Sequence, residues 1–298
     1  MKKILMSIGS LAMACGLAFG ITACAGTDSI NVYNRESGSG TRDAFLELLE
    51  IEDTDLVSAG AGLNTTGAVL NAVIDDPNGI GYISLGSLDD TVKAVTIDGV
   101  EATPANVINK TYSVWRPFEM IYLTANREEN DLLNDFLTYL ESADAQEVLE
   151  EYGYVSTATN APAYEAPESL TTTSLNIGGS TSVQELMSVD KPDEGKTCLI
   201  TAYKEACGLD VAITYDGTGS GTGRQNAANG TYDIGFASAE VTEADMEAEE
   251  PIGDFEIYQL CADGIAIIVN NSNTIENLTT EQLRNIYTGV VTSWSELA

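Results

Sequence analysis

The sequence predicts an α/β protein built as two units, and three observations lead there. The 298 residues exceed what one hydrophobic core ordinarily organises, about 250 residues. A composition of 44% hydrophobic and 7% aromatic residues, with 27 Gly and 7 Pro, excludes a collagen, a coiled coil and a disordered acidic tail. Short β-rich runs alternate with helical patterns along the chain, as in βαβ architecture with parallel sheets.

The elements follow in order. Residues 30–33 read as a strand, and 42–50, with Phe45 and Leu49 four apart, as a helix. Residues 66–74 continue the helical pattern up to Asp75-Asp76-Pro77-Asn78-Gly79, a turn that lacks the spacing and terminal Glu of a calcium loop. Strands are expected at 79–84 and 112–123, then one long helix over 129–152. The stretch 156–174 (STATNAPAYEAPESLTTTS) is small, polar and without period, and reads as a linker. Beyond it come strands at 174–177, 211–215, 234–237 and 264–270, and helices at 182–187, 195–206, 223–229 and 280–288.

Residues 1–23 are not part of this fold. Lys2-Lys3 followed by an apolar, acid-free run is the layout of a secretory signal. It ends in Ile21-Thr22-Ala23-Cys24, which resembles the bacterial lipobox, so Cys24 is the expected lipidation site and the chain is expected on the outer face of the cell membrane. The alternative is a plain membrane-spanning anchor, for which about 20 apolar residues suffice. Loss of Lys2 and Lys3 with the leader takes the formal charge from −33 to −35.

That charge excludes nucleic acid as a partner, because such binding requires Lys and Arg to neutralise phosphates. The chain has no histidine, which removes His-dependent triads, Cys-His dyads and H-E-x-x-H zinc sites together. Cys198, Cys207 and Cys261 have no C-x-x-C spacing, so neither a metal cluster nor a disulfide framework is expected; Cys198 and Cys207 could pair only within about 7 Å. No cofactor is implied.

Three strand-to-helix junctions share one composition: 31–41 (NVYNRESGSGT), 176–183 (NIGGSTSV) and 215–223 (YDGTGSGTG). A helix N-terminus offers unpaired N–H groups and the positive end of the helix dipole, glycine permits close approach, and hydroxyls add donors. Any one loop is equally a capped turn, but three of them with Arg35 point to an anion site, since a guanidinium grips a tetrahedral oxyanion with two bonds. Nucleotide motifs fail. The Gly195-Lys196-Thr197 triplet has Asp190 where a P-loop needs glycine, and the glycines at 217, 219, 221 and 223 never spell G-x-G-x-x-G. Ser188 and Lys191 fit S-x-x-K without the S-D-N or K-T-G of a serine acyl enzyme.

Gly179 to Val183, Gly217 to Gly223, Asp233-Ile234-Gly235, Asp263 to Ala266, Ile286 to Gly289, Trp294, Arg35-Glu36, Gly38 to Thr41 and Gly79 to Tyr82 together resemble the phosphate-binding proteins of ABC importers. The resemblance implies a two-lobed, type II periplasmic-binding-protein-like fold, each lobe a mixed sheet flanked by helices. It implies a monomeric, non-enzymatic carrier that passes inorganic phosphate to permease subunits, the alternatives being a binding protein for another tetrahedral oxyanion or a phosphate-sensing or interaction protein with the same fold. The order of segments differs from the family's, whose chains begin with what is here 175 onward and continue from 297 into 28–155. The chain therefore reads as a circular permutant or as a piece of a tandem pair, with one lobe at 28–112 plus 264–298 and the other at 113–263, linker included.

Carried over residue by residue, the resemblance implies that Ser180, Thr181, Ser182, Ser220 and Gly221 meet phosphate from one lobe, and Arg35, Ser39, Gly40 and Thr41 from the other. Many members place an Asp or Arg where this chain has Ala239, so an acceptor for the proton of hydrogen phosphate would fall to Glu240 or Asp216. The acidic surface does not forbid an anion site, because surface charge is screened beyond about 8 Å.

Overall fold

The computed structural model describes residues 28–57, 62–158, 160–192 and 195–297. The leader and Cys24 lie outside them, and among the described residues no helix is long and apolar enough to cross a membrane.

A mixed sheet runs through the molecule in the order Asn31–Val32, Gly79–Ser84, Phe255–Asn270, Trp115–Leu123, Ile234–Ala237, Ser174–Gly179, Ala212–Asp216. At its two ends the strands are parallel, Asn31–Val32 with Gly79–Ser84 and Ser174–Gly179 with both Ala212–Asp216 and Ile234–Ala237. The middle is antiparallel, so the sheet is mixed as the resemblance implied; the βαβ pattern by itself leads to parallel strands, because residue alternation reveals a strand but not its direction. The strand Phe255–Asn270 has 16 residues, reaching back nine beyond its expected start. Its first part, to Gly264, pairs with Trp115–Leu123, and from Ile265 onward it pairs with Gly79–Ser84. One strand thus belongs to both halves of the molecule.

Each half has its own apolar core. In the half split between the two ends of the chain, Phe45, Tyr82, Ile265, Ile267, Leu283 and Tyr287 are buried, with the Phe45 and Tyr82 rings stacked 4.1 Å apart. In the continuous half, Phe118, Leu133, Phe136, Leu186, Tyr203 and Phe236 form the equivalent cluster. The two ends of the described chain meet. Ile30 N–H donates to Thr292 O at 2.8 Å and Trp294 N–H to Asp28 O at 3.0 Å.

Several elements differ from expectation for local reasons. The helix expected at 129–152 is two, Asp131–Leu140 and Ala143–Glu151, preceded by a separate helix Thr124–Glu129, because the side chains of Asn130 and Ser142 accept from Leu133 N–H and Ala145 N–H and start new helices. The helix expected from 195 starts four residues later, as Leu199–Cys207, with Cys198 at its N-cap and Gly208 closing it at φ 68°. Cys198 and Cys207 therefore stand about 13 Å apart along one helix and are free thiols, as is Cys261.

Of the expected linker at 156–174, the segment 160–173 is a docked strap and not loose. Asp131 accepts hydrogen bonds from Thr171 and Thr172, which hold its carboxyl well below the usual range, and Ala143 N–H donates to Pro162 O at 2.8 Å. Tyr164 donates to Asp135 Oδ2 at 2.7 Å and sets its ring edge-on to Tyr139. These bonds go to scattered side chains, so the segment carries no period.

Glu119, on the strand Trp115–Leu123, is buried and accepts from Val241 N–H at 2.7 Å, fixing the loop that follows Ile234–Ala237. Burial pushes its carboxyl up to about 7.

Two outcomes follow from this packing. Truncation in Tyr164→Ala removes a ring contact and a hydrogen bond, and is expected to cost about 2 kcal/mol in urea denaturation. A freely moving linker would give no change. Between the ordinary carboxylate value and about 7 the native state keeps the Glu119 proton that the unfolded chain has released, so this residue lowers stability as pH rises through that window. Glu119→Gln should accordingly raise stability more at pH 8 than at pH 5; equal shifts at both would show that the carboxyl is not held protonated.

Candidate functional site

Most of the buried polar side chains among the described residues gather at one place, where the two halves face each other beside the crossing strand. Four helices aim their N-termini there. Gly40–Leu48 is capped by Ser39, Thr66–Asp75 by Thr65, Thr181–Ser188 by Ser180, and Ser220–Ala228 begins after Gly219 at φ 95°. The first two come from the split half and the last two from the continuous half. Four dipoles and their unpaired N–H groups favour negative charge at the point where they converge.

The hydroxyls at these N-termini touch across the interface. Thr41 Oγ1 lies 3.0 Å and Thr66 Oγ1 3.3 Å from Ser182 Oγ. Ser180 Oγ accepts from the N–H groups of Ser182 and Val183 and donates to Ser238 Oγ at 2.8 Å; Ser238 Oγ stands 3.4 Å from Ser220 Oγ. Main chain also crosses, with Gly221 N–H donating to Gly38 O at 3.2 Å. Gly40 is where the approach is tightest. A Cβ there would press against Ser220 Oγ and come within 2.8 Å of Ser238 Oγ, so only glycine lets the first turn of Gly40–Leu48 meet the opposite helix.

Arg35 is 3% exposed and carries the charge of the cluster. Its guanidinium donates to Thr181 Oγ1 at 2.9 Å, to Leu63 O at 3.0 Å, to Asn64 O at 3.3 Å and to Thr66 Oγ1 at 3.5 Å, all of them neutral acceptors. Burial, together with repulsion from the nearby Arg116, pulls its pKa down to about 10, so it stays charged at neutral pH. The adjacent Tyr82 hydroxyl accepts from Arg35 N–H at 3.1 Å, and burial pushes its pKa up to about 12. The one buried carboxylate here, Asp263, is already engaged. Its Oδ2 takes Arg116 Nε at 3.2 Å and Nη2 at 3.0 Å, and its Oδ1 takes Leu85 N–H at 3.1 Å. Two guanidiniums therefore face one carboxylate in a place closed to water, and that imbalance attracts an anion.

All nine candidate residues stand in this cluster. Arg35 meets Thr181, Thr41 meets Ser182, and Gly40 meets Ser220, while Ser39 caps its helix by accepting from Arg42 N–H and Ser180 anchors the opposite one. Gly221 joins through Gly38. Sequence reasoning missed Thr66, Ser238 and the Arg116–Asp263 pair. Arg116 and Asp263 each left a signal, a charged residue inside an otherwise apolar strand run, which is buried only when paired or functional. Neither Glu240 nor Asp216 reaches the cluster; both are exposed, and Asp216 accepts from Tyr232 at 3.1 Å. No group of residues suited to a metal ion occurs among the described residues. Beside Thr66 a cleft of about 370 Å³ opens between the halves, where Lys191 Nζ donates across to Gly86 O at 3.2 Å.

Chemically the arrangement is a set of donors around a fixed positive charge. The comparisons with known proteins agree in kind. The description of a PBP superfamily domain matches residues 25–144 and 165–298. Phosphate-binding protein PstS 2 of Streptococcus agalactiae is 36% identical over the whole of both chains, and that of Streptococcus pneumoniae is 32% identical over 96% of this chain and 93% of its own. With PstS of Bacillus subtilis the alignment is 32% identical but stops at 42% of this chain and 41% of that one. A crystal structure of a phosphate ABC transporter phosphate-binding protein from S. pneumoniae superposes with a TM-score of 0.68 at 31% identity, covering 91% of this chain and all of that one. The chain belongs to the PBP superfamily and, within it, to the family of these phosphate-binding proteins.

Proposed function

We propose that this protein captures inorganic phosphate between its two halves and delivers it to the permease subunits of an ABC importer, acting as a carrier and not as an enzyme. One observation carries the reading: a buried arginine whose partners are all neutral, surrounded by hydroxyls and four helix N-termini from both halves. An anion seated there binds both halves at once, so its affinity is higher for the closed arrangement than for an open one, and binding closes the molecule. The two moving lobes are 28–112 with 264–298, and 113–263, and the hinge lies where Trp115–Leu123 and Phe255–Asn270 cross. The names of the full-length relatives support phosphate as the ligand. The carrier works outside the cytoplasm, as a monomer held at the membrane by acyl chains on Cys24.

The same reading includes a circularly permuted order. Two features support it. The relatives that align from end to end share this order, whereas the B. subtilis alignment covers 42% of this chain and 41% of that one. The paired ends at 28–30 and 292–294 are where the family's usual order would run on without a break.

A second reading, binding of another tetrahedral oxyanion, draws on the apolar Ala239 and the exposed Glu240 and Asp216. Without a carboxylate to take the phosphate proton, the pocket has only hydroxyls as acceptors there, and a hydroxyl can turn and donate to sulfate instead.

Calorimetric titration of the soluble form beginning at Ala25, with phosphate and then sulfate, tests both. Phosphate is expected to bind at one site per chain. Silence towards both anions from a folded protein would sink the carrier reading, and equal affinity for both would favour the second. Arg35→Ala is expected to weaken phosphate binding at least about a hundredfold, since it removes the buried charge; an unchanged affinity would place the site elsewhere. Gly40→Ala should weaken binding about tenfold or more without lowering the unfolding midpoint, because its methyl obstructs closure and not folding. Normal affinity in that variant would mean that the helices do not approach in the bound state.

A further inference from the structure

We propose that Arg116 and Asp263 are positioning residues for the anion site: the pair fixes the Ser182 hydroxyl as a donor, pointed at the anion and away from its own half. This deepens the phosphate reading above and rests on it.

Both residues are 1% exposed, and they sit directly opposite each other, Asp263 on the strand that belongs to both halves and Arg116 near the start of Trp115–Leu123. The guanidinium of Arg116 is oriented from one side by Asp263, through the two bonds to Oδ2. On the other side it donates to two residues of the cluster, from Nη2 to Ser182 Oγ at 3.3 Å and from Nη1 to Ser238 O at 3.0 Å. Asp263 in turn accepts from Leu85 N–H of the split half. The pair therefore spans from the main chain of one half to a site hydroxyl of the other.

A serine hydroxyl has one proton to donate and two lone pairs with which to accept. Once Ser182 Oγ accepts from a guanidinium, its own proton must point elsewhere, and the directions open to it face Thr41 and Thr66 of the opposite half. An anion between the halves receives that proton as a hydrogen bond, strengthened because the oxygen is already polarised by a cation. Buried ion pairs contribute little net stability compared with apolar residues of similar volume, so a positioning role accounts for a pair that stability alone does not require. Lysine cannot replace the arginine here, because a single ammonium on a flexible stem does not hold Asp263 and Ser182 together in one plane.

A double-mutant cycle on phosphate affinity, read by calorimetry on the full folded protein alongside urea midpoints, tests this. Arg116→Lys is expected to weaken phosphate binding about tenfold or more in the wild-type background, as one charge-assisted bond is lost, and less than about twofold in a Ser182→Ala background. Asp263→Asn, which keeps the size of the side chain, should show the same dependence on Ser182 and covers the case in which the arginine variant fails to fold. Ser182→Thr retains the hydroxyl and should restore the sensitivity to Arg116→Lys. Equal losses in both backgrounds would overturn the proposal, since the pair would then act through overall charge or stability. So would unchanged affinity in Arg116→Lys while the wild type still binds phosphate, an outcome that leaves the carrier reading standing. A wild-type protein that takes up no phosphate overturns both.

Discussion

The arrangement of this molecule follows from one constraint, the burial of the Arg35 guanidinium without a carboxylate partner. A buried charge is tolerated only when its donors are all met and its field is answered. Here the donors are met by two carbonyls of the segment before Thr66–Asp75 and by hydroxyls of two helices. One of those hydroxyls, on Thr181, belongs to the opposite half, so satisfying the arginine already requires the halves to come together. The field is answered only in part, because the nearby Asp263 is committed to Arg116. What remains is positive potential lined with donors, and the proposed role as an oxyanion carrier is the direct use of it.

The crossing strands serve the same end. Phe255–Asn270 changes partner between Gly264 and Ile265, and its neighbour Trp115–Leu123 begins at that level, with Trp115 opposite Gly264. Two core clusters then lie on either side, each closed by its own aromatic packing, and the polar residues fall between them. The proposed opening and closing of the cleft is a rotation of one half on the other at this level of the sheet. The docked strap adds to this by binding the continuous half to itself, through Asp131, Asp135 and Pro162.

Much of the site was legible because helix N-termini write themselves into sequence. Gly38-Ser39-Gly40-Thr41, Ser180-Thr181-Ser182 and Ser220-Gly221 all pair small residues with hydroxyls at the start of a helix, and the physics of capping makes that pattern local. Thr66 belongs to the same class, with Gly60 and Gly62 before it and Gly67 after it, but it reads only as the start of a helix until Ser182 is found 3.3 Å away. The division of one expected helix into two, capped at Asn130 and Ser142, is the reverse case. The caps were present in the sequence, but the continuous apolar pattern around Leu132 to Leu149 outweighed them.

The sequence alone determined the class of fold, the positions of most strands and helices, the absence of histidine chemistry and the hydroxyl-rich loops with their arginine. Each of these is fixed by neighbours within a few residues, through periodicity, capping or composition. Tertiary structure alone decided that Arg116 and Asp263 pair across two strands 147 residues apart in the chain, that Thr41 meets Ser182 over 141, and that 160–173 is held down through Pro162, Tyr164, Thr171 and Thr172. Contacts of that kind depend on the register of strands and the closure of one half on the other. Those are properties of the assembled chain and leave no local pattern to read.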